Sequence, residues 1–202
     1  MPAWYRNAEA GCMMSGPGKI SRFLLRRATG IAIWTQLILA VASFVLMAFV
    51  FTPAFSEVTN GLRPLDLNFG IGAEKIYQDL PFYTDASRSI YVWFALADFV
   101  YPATAAAFFS LLWAWLFKRA PAPLFDRLTS AGVLLFPFLF ALIDWLENFC
   151  FLFVVFSYPA EFPAIGNMGG TLKTTKPFVE AVILLGTVVF LVLSVRFRRQ
   201  RH

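Results

Sequence analysis

The chain has 202 residues, of which 59% are hydrophobic and 14% are charged, and its formal net charge is +5. A soluble domain has about 25% charged residues, so this composition excludes an ordinary soluble protein and predicts a single integral membrane domain. The basic residues cluster at the ends of long apolar runs. This placement favours a lipid bilayer, and not a nucleic acid, as the partner of the positive charge.

Residues 1–18 mix polar residues with Gly and Pro, which predicts a flexible cytoplasmic tail. Four apolar runs follow, and each is long enough to cross a hydrocarbon core of about 30 Å as a helix. The predicted transmembrane helices cover residues 31–51, 89–117, 130–157 and 177–195. The expected fold is therefore an all-α, up-down bundle of four transmembrane helices.

Lysine and arginine are distributed unevenly between the two ends of these helices. Twelve lie in the N-terminal tail, between the second and third helices, or after the fourth, and five lie in the other two connections. Because cytoplasmic segments carry the excess of Lys and Arg, both termini are expected in the cytoplasm. The expected location is the cytoplasmic (inner) membrane of a bacterium.

The two remaining connections, residues 52–88 and 158–176, are predicted to be outer loops. The first is long for a connection between packed helices, and such loops commonly carry structure or function. Within it, Gly72 to Leu80 predicts a short amphipathic helix, because Ile76 and Leu80 lie one turn apart. We expect this helix to cap the bundle at the outer membrane surface.

Polar side chains inside the second and third predicted helices are candidates for a ligand or proton site. Asp144, Glu147 and Asn148 are spaced i, i+3 and i+4, so they share one helical face. Asp98 falls at about the same depth on the second helix, and Tyr101 follows it by three residues. We expect at least one of the clustered carboxyl groups to be protonated near neutral pH, because like charges in a low dielectric disfavour each other.

A charged side chain near the bilayer centre costs at least about 2.5–3.5 kcal/mol, so these acids need an explanation. One interpretation is a proton-linked site, or a site for a lipid or small apolar ligand, that serves transport or acid–base catalysis. The alternative is a non-catalytic structural or assembly subunit in which the acids hold helices together. Whether the chain is an enzyme stays open. Transport would favour a homodimer, and the alternative would favour a membrane partner subunit.

Histidine is missing from every predicted span, since the only one is His202. This excludes bis-His haem ligation, His-dependent nucleophilic catalysis and His/Cys zinc sites in the membrane. A Gly-rich phosphate loop is also missing. No cofactor and no metal site are predicted, although oxygen ligands for a hard cation would be present. Lys176 and Glu180, one turn apart, predict an ion pair at the membrane edge.

The run D-W-L-E-N at residues 144–148, read with D-F-V-Y-P at residues 98–102, resembles a group of small uncharacterised bacterial four-helix integral membrane proteins. Those proteins pair a D-x-x-[YF]-P second helix with a D-x-x-E-N third helix. Residues 66–80 are similar to a segment that precedes their second helix. The resemblance covers about the central half of the chain, and it implies the fold but no particular activity.

Overall fold

The computed structural model describes residues 18–120 and 122–199, and the secondary structure in these ranges is helical, with no strand. Four helical segments are long and apolar enough to cross a membrane. The predicted all-α class and the four membrane-length helices are thus confirmed. The predicted tail, residues 1–18, lies outside the described residues except for Gly18.

Eight α-helices follow one another along the described chain. They are α1 (Lys19–Arg27), α2 (Gly30–Leu46), α3 (Thr52–Val58), α4 (Ala73–Asp79), α5 (Asp85–Arg119), α6 (Pro123–Ser130), α7 (Pro137–Ser157) and α8 (Pro163–Arg199). A π-helical turn, Met47–Phe51, joins α2 to α3. The membrane-length segments are residues 30–58, 85–119, 133–157 and 163–197.

Helix α5 is the centre of the bundle. It packs against α2 on one side and against α7 and α8 on the other, and α7 and α8 also pack against each other. The indole N–H of Trp113 on α5 donates to the hydroxyl of Thr187 on α8 at 2.8 Å. We call the end with α1, α6 and the last turns of α8 the basic end, and the end with residues 59–84 and 158–162 the loop end.

The first long connection begins later and ends earlier than the predicted residues 52–88. It begins later because α3 continues the first membrane-length segment to Val58, and it ends earlier because α5 begins at Asp85. Thr84 caps α5, since its hydroxyl oxygen accepts from the Ser87 N–H at 3.2 Å. Between them, α4 confirms the short helix predicted within residues 72–80. The Ile76 side chain of α4 is fully buried, so the apolar face of this helix packs into the protein at the loop end.

The prediction of an outer loop over residues 158–176 was wrong, because α8 already begins at Pro163. Glycine-rich sequence normally disfavours helix, but here the glycines allow close packing. A methyl group on Gly166 would lie 3.3 Å from the Ala73 and Ile76 side chains, and one on Gly169 would overlap the Phe151 ring. Tertiary packing therefore outweighs the local propensity, and Lys173 and Lys176 come to lie on a helix.

Candidate functional site

The depth of the polar cluster follows from the positions of the basic residues. Lys118 on α5 and Arg196 on α8 are basic residues at the basic-end limits of the apolar stretches. Twenty residues separate Asp98 from Lys118, and twenty separate Lys176 from Arg196. Twenty residues of α-helix span about 30 Å, which is the thickness of the hydrocarbon core. Asp98 and Lys176 thus lie about one hydrocarbon thickness away from the basic residues Lys118 and Arg196.

A cavity of about 420 Å³ opens at this level. Its walls come from the π-helical turn and its neighbours, from α5, α7 and α8, and from the segment before α4. Most of the lining is apolar and aromatic. The ionisable residues with carboxyl or amino groups on the wall are Asp66, Asp98, Asp144, Lys173, Lys176 and Glu180.

Two lysines of α8 neutralise two acids of α7. The Lys176 Nζ lies 2.5 Å from Asp144 Oδ1 and 2.8 Å from Glu147 Oε2. The Lys173 Nζ lies 3.5 Å from Glu147 Oε1 and donates to the backbone carbonyl of Asp66. Both acids are almost completely buried, so these ion pairs compensate their charge, although neither Glu147 oxygen accepts a hydrogen bond from a described residue.

The predicted ion pair between Lys176 and Glu180 is not formed. Lys176 reaches α7 instead, and Glu180 is exposed at the cavity wall. Sequence reasoning missed Lys173 and Lys176 as site residues because it placed them in a loop. Their spacing of three residues was the available signal, since on a helix it puts both amino groups on one face.

Of the five predicted site residues, the structure brings Asp98, Tyr101 and Asp144 to the cavity wall. Glu147 and Asn148 are buried behind it, and the Asn148 amide donates to Asp144 Oδ2 at 3.3 Å. Asp98 differs from the other acids of the cluster. It is 7% exposed, and no described residue hydrogen-bonds to its carboxyl group or lies within ion-pair distance of it.

Asp66 is a wall residue that sequence reasoning did not select. It lies in a 3₁₀ turn, Leu65–Leu67, and its Oδ2 accepts from the Tyr91 hydroxyl at 2.5 Å. Burial raises the pKa of Asp66 above its ordinary value, while the Tyr91 hydrogen bond and the two lysines act in the opposite direction. Only the fold brings this loop residue to α5 and α8, so local sequence gives no signal for it.

Among the described residues, no group of three or more His, Cys, Asp or Glu side chains is arranged to hold a metal ion. No protein-family model, curated protein or solved structure matches the chain. The interpretation of the site therefore rests on its own geometry and charge.

Proposed function

We propose that this multi-pass membrane protein binds an amphiphilic small molecule or a lipid in the cavity between α2, α5 and α8. The observation that carries the proposal is Asp98, a residue 7% exposed whose carboxyl group has no protein partner and is accessible only at the wall of a cavity of about 420 Å³. Holding a polar group at an apolar wall without a hydrogen-bond partner from the protein costs free energy. A ligand that fills the cavity and bonds to Asp98 would remove that cost.

In this proposal the ligand enters the cavity laterally, between α2 and α8. Helix α2 packs on α5, whereas α8 packs on α7 and α5, so α2 and α8 line opposite sides of the cavity without forming a packed pair. The cavity wall carries exposed apolar residues, including Phe44 on α2 and Phe69 in the segment before α4. Phe44 lies on the basic-end side of the polar cluster, at the depth of the acyl chains. This arrangement suits a molecule with a polar head at Asp98 and an apolar tail between α2 and α8.

The π-helical turn supports the same proposal. Met47 and Ala48 of this turn both line the cavity, and the Thr52 hydroxyl donates to the Met47 carbonyl at 2.7 Å. π-helical turns inside α-helices are frequent at functional sites, because they change the direction of the side chains that follow. Here the turn shapes the wall opposite α8.

The alternative function, a structural or assembly subunit, is favoured by a different set of contacts. Lys176 joins Asp144 and Glu147, which holds α8 to α7, and both carboxyl groups are buried. In this reading the whole acidic cluster serves helix association. The two functions differ in the role of Asp98. Its carboxyl group would bind the ligand in the first function, whereas it makes no contact that would hold helices together in the second.

The experiment fills the cavity without changing any charge. Ala48→Trp places a large ring in the cavity, and the matched control Ala42→Trp places the same ring on the exposed side of α2. Decanol, decylamine and decanoate serve as probes in non-ionic micelles. A probe at 100 times its Kd stabilises the protein by about 2.7 kcal/mol, which a thermal unfolding assay detects.

Stabilisation of the wild type and of Ala42→Trp, together with its loss in Ala48→Trp, supports the binding site. If no probe stabilises the wild type, or if Ala48→Trp responds like its control, the binding proposal fails and the assembly function is preferred.

We also propose that the basic end faces the cytoplasm of a bacterium and that the chain resides in the inner membrane, which the Lys and Arg distribution supports. If the site serves transport, a homodimer would supply the additional helices. Cysteines placed at Asn60 and Glu161, both exposed at the loop end, should react with an impermeant reagent added outside intact cells. A cysteine at Asp126 at the basic end should not react, and the reverse pattern would contradict this orientation.

A further inference from the structure

The cavity wall has more carboxyl groups than amino groups, and the internal contacts use every amino group. Four wall residues carry carboxyl groups and two carry amino groups. Lys176 is held by Asp144 and Glu147, and Lys173 by Glu147 and the Asp66 carbonyl. No amino group of the wall is therefore left without an acceptor.

Two wall carboxyl groups remain without a described partner. Asp98 is 93% buried and faces the cavity from α5, and Glu180 is exposed at its mouth on α8. Glu180 lies one turn toward the basic end from Lys176, so it is already within the apolar stretch of α8. Because a charge surrounded by apolar groups is poorly solvated, both positions favour a positively charged partner.

The remainder of the wall suits an organic cation better than an inorganic one. Aromatic rings attract an ammonium group through the negative charge of their faces, and the wall already shows such a contact. The Lys173 Nζ lies 5.1 Å from the centre of the Phe69 ring. Calcium takes six to eight oxygen ligands, whereas the two unpaired carboxyl groups of the wall offer at most four oxygen atoms. The aromatic wall residues are Phe44, Phe69, Phe94, Tyr101 and Phe140.

We propose that the ligand of this cavity is an amphiphile with a cationic amine head group, whose ammonium lies between Asp98 and Glu180 and whose apolar chain leaves between α2 and α8. This inference rests on the proposed binding function and specifies its ligand class. An anionic head group would meet two unpaired carboxyl groups and no free amino group, so the same cavity disfavours it.

The test compares three probes with the same chain length and different head groups. Isothermal titration of the full chain in non-ionic micelles at pH 7 measures the binding of decylamine, decanol and decanoate. We expect decylamine to bind at least about tenfold more tightly than decanol, because a hydrogen bond to a charged group contributes about 1.5–3 kcal/mol. Decanoate should bind more weakly than decanol.

The variant Asp98→Asn keeps the size of the side chain and removes its charge. It should weaken decylamine binding by about 10–100-fold and leave decanol binding nearly unchanged. The matched control is Asp126→Asn, which makes the same change on exposed α6 outside the cavity and should leave both unchanged. If Asp98→Asn does not fold, Glu180→Gln at the mouth provides the second variant, with the same selective loss expected for decylamine.

A preference for decanoate, or an equal loss of decylamine and decanol in both cavity variants, would overturn the inference about the amine. If decanol binds and Ala48→Trp abolishes its binding, the binding site stands even when the amine preference fails. A lysolipid with an ethanolamine head group distinguishes the two sources of the amine. Competition by this lysolipid indicates a membrane lipid as ligand, and binding of decylamine alone indicates a free lipophilic amine.

Discussion

Replacing Lys176 by methionine tests whether the ion-pair cluster holds α7 to α8. The substitution keeps most of the side-chain volume and removes an ammonium that lies 2.5 Å from Asp144 and 2.8 Å from Glu147. Those two side chains are 2% and 0% exposed, so they are poorly solvated once the ammonium is removed. Breaking a buried pair by removing one partner costs about 3–5 kcal/mol. We expect a loss near 3 kcal/mol, because Glu147 keeps Lys173 at 3.5 Å.

The control for this prediction is Lys75→Met. The Lys75 Nζ also lies 2.5 Å from a carboxylate, that of Asp79, but the lysine side chain is 58% exposed. An exposed pair contributes about 0–1 kcal/mol, so the control should lose no more than that. The free energy of unfolding is measured by reversible denaturation in mixed micelles, followed by tryptophan fluorescence.

A double-mutant cycle separates the pair from other effects of the substitution. The double variant Lys176→Met/Asp144→Asn should lose less stability than the two single variants lose together. The reason is that residues of one ion-pair network couple by about 0.5–3 kcal/mol. Equal losses of unfolding free energy for Lys176→Met and Lys75→Met, or additive losses in the cycle, would contradict the prediction that the buried ion pairs stabilise the protein more than an exposed pair does.

Two further predictions concern the loop end. Gly170→Ala should destabilise the protein strongly in the same unfolding assay, because a methyl group there would overlap the Ile71 carbonyl oxygen, whereas Gly30→Ala, with open space around it, should be neutral or stabilising. A stable Gly170→Ala protein would contradict the close packing of α8. Tyr91→Phe should lose about 1.5–3 kcal/mol with its hydrogen bond to Asp66, while Tyr83→Phe should lose little, because no described residue bonds to that buried hydroxyl. Similar losses for both would show that the Asp66 contact is not formed.

The sequence by itself determined the class of the protein and part of its site. Apolar runs that match the thickness of a bilayer determine four membrane-length helices, because backbone polar groups in lipid must be satisfied within the helix. The spacing of Asp144, Glu147 and Asn148 determines that they share one face of α7, and the structure keeps them together. The short helix α4 was likewise visible as an apolar repeat of one turn.

Only the tertiary structure decided which charges meet. Residues 163–176 are helical because their glycines allow α8 to approach α4 and α7, and no local propensity encodes that approach. The resulting helix turns Lys173 and Lys176 toward the acids of α7 and leaves Asp98 without a partner. Asp66 reaches the cavity through a contact with Tyr91, 25 residues along the chain. Pairing of charges depends on distance in space, which the order of residues does not specify until the helices have packed.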